Sequence, residues 1–224
     1  MKRLIISALM GASLIGLAAP ASAQGKCDRK CLTGKLDQFL KAVIAKDPSK
    51  AGLWVGFRQT QNAVLTHQGK GIWETNTGMG DLDRRYYDPA TSQAEFFGTI
   101  KEGDKIAITS LRIKVQWNQV TEAEWHVARA PDPGIDGGDR PMYVVNMLMQ
   151  RPPAQRTVPV AQRHQREALV AAVNSYFDGI VAQTGRHVQA NPGCYRLENG
   201  QGAPETARRG PSPASAGTTP TSRS

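Results

Sequence analysis

The stretch Asp81-Leu82-Asp83-Arg84-Arg85-Tyr86-Tyr87-Asp88 is the densest cluster of reactive side chains in the sequence. A carboxylate beside a Tyr or His can abstract a proton alpha to a carbonyl, and a Tyr or Arg can steady the oxyanion that results. On that logic Asp83 and His67 are the candidate bases, with Tyr86, Tyr87 and Arg85 as candidate stabilising donors. The same residues also suit a solvated turn stitched by Arg–Asp pairs. Further along, Glu122, Glu124 and His126 share the polar parity of one stretch. Two carboxylates and an imidazole could ligate a metal. Alternation along a strand produces such a row by default, however, and a solvated or subunit-facing surface without metal is the expectation. His164 and His187 read as helix-surface and loop residues. The sequence has no GxSxG, HExxH or Walker-type loop, so serine-hydrolase, zincin and nucleotide-triphosphatase readings have no support, and no cofactor is implied.

Cys27 and Cys31 are spaced CxxxC, unlike the CxxC of thioredoxin-like redox sites or zinc ribbons, and no His lies near them. The third cysteine, Cys194, lies in the late stretch NPGCYRLENG. Residues 1–23 read as a secretory signal peptide, with Lys2 and Arg3 at the start, an apolar run over Leu4–Leu17 and a small-residue cleavage site at Ala21-Ser22-Ala23. Cleavage after Ala23 would deliver a periplasmic or secreted chain to an oxidising compartment, where disulfides persist. No later apolar run is of membrane length. One disulfide is therefore expected to tie the N-terminal helix to the Cys194 loop, through Cys31 or alternatively through Cys27.

The elements that must position these residues follow from periodicity. Leu32, Leu36, Phe39, Leu40, Val43 and Ile44 recur at three and four residues between Cys27 and Lys46, the pattern of a helix with one buried stripe. Asp47-Pro48 ends that helix and starts a short turn. Residues 54–65 read as extended and 72–83 as irregular with a short helical turn. Strands are expected over 85–88, 93–101, 106–117 and 120–129, with connections at Lys101–Asp104 and Asn118-Gln119. Leu111, Ile113, Val115 and Trp117 alternate with polar residues, as do Ala123, Trp125 and Val127, which marks an antiparallel meander with one covered face. Residues 130–160 read as a linker with one short apolar segment. Arg163–Gln183 reads as a second amphipathic helix with Leu169, Val173, Tyr176, Phe177 and Ile180 on one side. The tail, residues 201–224, has almost nothing to bury and reads as disordered. The net charge of +9 is spread without the clustered basic footprint that nucleic-acid binding requires.

Residues 36–62 also align without a gap on residues 173–199. Phe39-Leu40 falls on Tyr176-Phe177 and Val43-Ile44 on Ile180-Val181, while Ala45/Ala182, Gly56/Gly193 and Asn62/Asn199 are identical. Duplication and chance similarity of two amphipathic helices both explain this much.

The order of helix, short turn, extended segment ending near an Asn, and meander resembles the SnoaL-like, or nuclear transport factor 2-like, α+β cone. The stretches CDRKCLTGKLDQFLKAVIAKDPSK, YYDPATSQAEFFGTIKEG, ITSLRIKVQWNQVTEAEWHVAR and CYRLENG resemble an uncharacterised family of secreted bacterial and fungal domains in that superfamily. Where that family reads Thr-Glu-Asn-Gly, this chain has Thr60-Gln61-Asn62-Ala63. The resemblance implies an α+β domain over residues 24–129, a cone-like curved antiparallel sheet covered by the N-terminal helix. A C-terminal helix and extended segment, residues 161–200, would pack back on it. It also implies one apolar pocket, for which Trp54, Asn62, Trp73, Phe96 and Trp125 are the wall candidates. Fold cannot name the reaction. One reading is an exported domain that binds a hydrophobic or carbonyl-bearing small molecule, with cofactor-independent isomerase, lyase or hydrolase chemistry as its catalytic form. The other is a non-catalytic periplasmic binding or interaction domain, homodimeric through the outer sheet face. Neither involves nucleic acid, nor a membrane once the leader is removed.

Overall fold

The computed structural model describes residues 26–132, 143–191 and 194–202. Residues 1–25 (the expected signal peptide among them), part of the 130–160 segment and all but the first two residues of the 201–224 tail lie outside the described residues. Helix α1 spans Arg29–Ile44. It is followed by a 3₁₀ turn at Pro48–Lys50, strands β1 (Leu53–Gln61) and β2 (Val64–Thr66), and a one-turn helix α2 (Ile72–Thr75). Strands β3 (Gly78–Asp88), β4 (Gln93–Glu102), β5 (Lys105–Gln116) and β6 (Gln119–Ala128) form the meander. Helices α3 (Val145–Gln150) and α4 (Arg166–Val181) and a small hairpin, β7 (Leu197–Glu198) and β8 (Gln201–Gly202), complete the described chain. The fold is α+β, built on a curved, unclosed sheet of six strands in the order β2-β1-β6-β5-β4-β3.

Two features of the sheet differ from the sequence reading. It is mixed rather than antiparallel throughout, because β1 lies parallel to β6. The chain crosses from β2 through α2 to the far edge, so the meander runs back and brings β6 alongside β1. Residues 78–83 are also strand rather than irregular. Their register breaks between Met79 and Asp83, an irregularity that Gly80 accommodates, since a Cβ there would come within 2.2 Å of the Thr99 hydroxyl oxygen. The Leu82 N–H donates to the Thr99 hydroxyl. Gly98, opposite Asp83, leaves no room for a side chain, since a Cβ would come within 1.9 Å of the Leu82 carbonyl oxygen.

α1 covers the concave face. Asp28 caps it by accepting from the Cys31 N–H at 2.8 Å. Leu32, Leu36, Phe39, Leu40, Ala42 and Val43 are buried against Phe96, Ile100, Leu111, Ile113, Ala123 and Trp125 of the sheet. At about 1.5–3 kcal/mol for each large side chain removed from water, this stripe is the main fastening of the domain. The opposite face carries a smaller cluster in which α3 seats Leu148 on Leu82 and Ile108. The Tyr143 hydroxyl donates to the Ile106 carbonyl there, and Arg84 Nε donates to the Pro153 carbonyl at 2.8 Å.

α4 departs most from expectation. Its apolar residues do not face a core: Leu169, Val173, Phe177 and Ile180 are exposed, and the residues it buries are Ser175 and Gly179. Ser175 accepts from the Gln189 N–H, so the helix packs mainly on the turn that follows it. It is tied to the sheet by a paired contact in which Arg166 Nη1 and Nη2 donate to the two Asp88 carboxylate oxygens at 2.7 Å. Among the described residues no helix is long and apolar enough to cross a membrane.

Candidate functional site

Strand β3 splits the Asp81–Asp88 cluster between two faces. Asp83, Arg85 and Tyr87 pair with Gly98, Phe96 and Ala94 of β4 and lie on the α1 side. Arg85 donates to both oxygens of Asp83 at 2.9 Å and also reaches Asp37 on α1. Its hydrogen bonds to Asp83, and then to Asp37, outweigh the opposing effect of burial and hold the guanidinium still more firmly protonated than usual. All three side chains are part-exposed at the sheet edge. Tyr87 packs against the core, with the Arg29 guanidinium 4.8 Å from its ring centroid. Tyr86 is half-exposed on the other face, where burial and then the nearby Glu95 push its phenol up. Arg84 shares that face and caps two carbonyls, those of Asp83 and Pro153. His67 is exposed after β2, with its carbonyl accepting from Gln59. β2 and β3 are the two outer strands of the sheet, so the fold does not bring His67 into the Asp83 cluster.

The expected wall residues also divide. Trp73, Phe96 and Trp125 are fully buried. Phe39 of α1 fills the space between them, with ring centroids 5.5 Å from Trp73 and 6.3 Å from Trp125. The Trp73 indole N–H donates to the buried Gln59 at 2.9 Å, whereas that of Trp125 has no partner among the described residues. Asn62 instead acts as a strand extension, its amide exchanging hydrogen bonds with the Val127 N–H and carbonyl. Its φ of +49° is one that Asn tolerates. Trp54 lies outside, against Trp117.

On the outer face Arg112 donates to both Glu122 and Glu124, and Lys114 reaches Glu122. Burial raises the Glu122 carboxyl, but Lys114 and Arg112 more than offset this and leave it below the usual range. His126 lies 3.6 Å from Glu124. The carboxylates are thus occupied by cations, and no group of His, Cys, Asp or Glu arranged to hold a metal occurs among the described residues.

The disulfide joins different partners from those expected. Cys27 bonds Cys31, with their Cα atoms 5.3 Å apart, and Cys194 is exposed and free. Cys27 is not helical. It precedes the Asp28 cap, and the bend there folds it back onto the first turn of α1, which the four-residue spacing alone does not reveal. Beside this disulfide opens a cleft of about 550 Å³ between the start of α1, the β3–β4 turn at Ala90–Ser92 and the β5–β6 hairpin at Val115–Asn118. None of the candidate bases or stabilisers lines it. Periodicity places Trp117 on the covered parity of β5. It falls instead in the two-residue turn Trp117-Asn118, where both residues have positive φ and Trp117 is 51% exposed. The signal that could find this is the Trp-Asn pair itself, which interrupts two alternating runs where a hairpin turn is due.

A family described as a domain of unknown function (DUF8021) matches residues 162–223. No curated protein matches the chain. Among solved structures, a protein of unknown function with a cystatin-like fold from Methylobium petroleophilum PM1 is similar at 14% identity and a TM-score of 0.41, over 62% of this chain and 99% of that one. An NTF-2 like protein of unknown function from Burkholderia xenovorans LB400 is similar at 9% identity and a TM-score of 0.37, over 58% of this chain and 97% of that one. AusH from Aspergillus nidulans is similar at 9% identity and a TM-score of 0.39, over 48% of this chain and 89% of that one. These likenesses are partial, each with a TM-score below 0.5.

Proposed function

We propose that the protein is an exported small-molecule-binding domain that holds its ligand in the cleft beside the Cys27–Cys31 disulfide, without turning it over. The observation that carries this reading is a contrast in space. The concave interior is filled by Phe39, Trp73, Phe96 and Trp125, while the cleft at the start of α1 is open. Acid–base chemistry would need Asp83 within hydrogen-bond reach of a substrate proton. Both of its oxygens are engaged by Arg85, which makes the Asp37–Arg85–Asp83 group a brace between α1 and β3. Export is supported by the leader-like first 23 residues and by a disulfide of the kind that persists outside the cytoplasm.

The test uses the chain expressed with its own leader, so that processing follows its natural course. Intact mass should show a protein that begins at Gln24 and carries one disulfide. Amide shift mapping with a chemically diverse set of small molecules should then move Ser92 and Gln116–Asn118. Ligands that instead move Asp83, Arg85 and Tyr87, and whose binding is lost in Asp83→Asn, would overturn the binding-only reading in favour of an acid–base site.

A further inference from the structure

We infer that the cleft is an oligosaccharide subsite in which Trp117 is the stacking platform and Trp54 its support, a deepening that rests on the cleft being the binding site. The first observation is where Trp117 stands. It is the first residue of a two-residue hairpin turn at φ +50°, a position that favours Asn or Gly and strains a bulky side chain. It contributes nothing to the buried clusters and is half-exposed. A strained aromatic that adds nothing to the core points to a role at the surface.

The second observation is that the platform is built. The Trp117 and Trp54 ring centroids are 5.5 Å apart, and Trp54 keeps 36% of its surface exposed. The Trp54 ring lies across Gly56, where a Cβ would come within 2.2 Å of it. Gly56 therefore makes room for the supporting indole.

The third observation is the chemistry of the lining. The Ser92, Gln116 and Asn118 side chains make no hydrogen bond to another described residue, and all three residues line the cleft. Asp28 uses one carboxylate oxygen to cap α1 at Cys31. Lys26 and Asp28 offset each other in charge. A pyranose presents an apolar face of C–H groups and a rim of hydroxyls, which matches an exposed indole ringed by amides, a hydroxyl and a carboxylate. A steroid or acyl chain would leave those polar groups buried without partners, and a phosphate would meet Asp28.

The full chain is titrated with cellohexaose, chitohexaose and maltohexaose while tryptophan fluorescence and amide shifts are followed. Of the four tryptophans, Trp73 and Trp125 are fully buried, so saturable fluorescence changes report Trp54 and Trp117. At least one oligosaccharide is expected to bind. Trp117→Gly should weaken it about tenfold or more, the size of a lost aromatic stack, while keeping the wild-type melting temperature, because the turn favours Gly. Trp117→Phe should retain part of the binding, and Gly56→Ala should weaken it by displacing Trp54. Sugars that leave the cleft unmoved while other small molecules shift Ser92 and Asn118 would overturn the oligosaccharide assignment and leave the cleft standing. A cleft that nothing shifts would overturn both. Binding undiminished in Trp117→Gly would overturn the platform.

Discussion

The chain contains the same local structure twice, once with a sheet to cover and once without. α1 and α4 are both 16 residues long and stand at the register in which the two sequences align. Each ends at an alanine cap, Ala45 or Ala182, followed by a positive-φ residue, Lys46 or Gln183. Each then enters a 3₁₀ turn whose cap, Asp47 or Thr184, accepts the N–H two residues on. Asn62 and Asn199 close the two units at φ +49° and +46°. Two of the sequence identities, Ala45/Ala182 and Asn62/Asn199, thus fall at matching points of a shared series of helix, cap, turn and closing Asn. The outcomes differ in burial. Leu36, Leu40 and Val43 are 0%, 3% and 0% exposed, whereas their counterparts Val173, Phe177 and Ile180 are 60%, 57% and 54% exposed. An amphipathic pattern therefore specifies which face of a helix is apolar, and the rest of the fold decides whether anything covers it.

The largest effect should come from substituting matched positions. Leu36→Ala opens a hole under α1 and should destabilise the domain by about 2–5 kcal/mol. Val173→Ala should stay within about 0.5 kcal/mol, as for exposed positions elsewhere. Urea denaturation of the two variants checks this directly, and equal losses would show that α4 is covered in solution.

The start of the two helices differs as well. Cys27 and Cys31 fasten the first turn of α1, where the aligned residues of α4 are His164 and Ala168. The bridge closes only a few residues, so the chain-entropy account gives about 2 kcal/mol, against nearly 5 for a loop of a hundred. Cys27→Ser with Cys31→Ser should lower the unfolding free energy by roughly that amount. Caps follow the same division. Asp28 hydrogen-bonds the first turn of α1, while Gln165 makes no such bond at α4. Asp28→Ala should cost about 1 kcal/mol. Gln165→Asp should raise protection of the first α4 amides in hydrogen exchange.

Much of the first unit is legible in the order of its residues. The α1 stripe, the β4–β6 alternation and the turn at Gly103-Asp104 follow from local periods of 3.6 and 2 and from turn chemistry, because those residues carry their own instructions. The parallel β1–β6 pairing is not legible, since it depends on a crossover that sends the chain to the far edge. Asp83, Arg85 and Tyr86 stand out as a cluster but not as a brace. The partner Asp37 is far away in sequence, and only the seating of α1 on β3 brings it close. The cysteine pairing is hidden for a related reason, since helical spacing does not extend back past the Asp28 cap. The apolar stripe of α4 is plain in the sequence but its exposure is not, because exposure depends on what the rest of the fold places against the helix.

The smallest effect concerns how the second unit is held. α1 is held mainly by apolar burial, which pH hardly touches, with the Asp37–Arg85–Asp83 brace beside it, whereas α4 is tied to the sheet by the Asp88–Arg166 pair on the surface. Hydrogen bonding from Arg166, and then from Thr91, holds the Asp88 carboxyl below its ordinary value. A carboxylate with a depressed folded pKa contributes above its unfolded pKa of about 3.9, and that contribution is lost as pH falls through the folded value. Between neutral pH and about 5 the tether should therefore be constant, and it should weaken below about 4. Salt should weaken it at any pH, because the pair is exposed and screened over about 10 Å at 0.1 M. Hydrogen exchange read separately over α1 and α4 checks both, with faster exchange expected in the first turn of α4 at low pH or high salt and a smaller change over the buried stripe of α1. Asp88→Asn should produce the low-pH behaviour at neutral pH. If α4 keeps its protection in that variant, the second unit is held by contacts other than this pair.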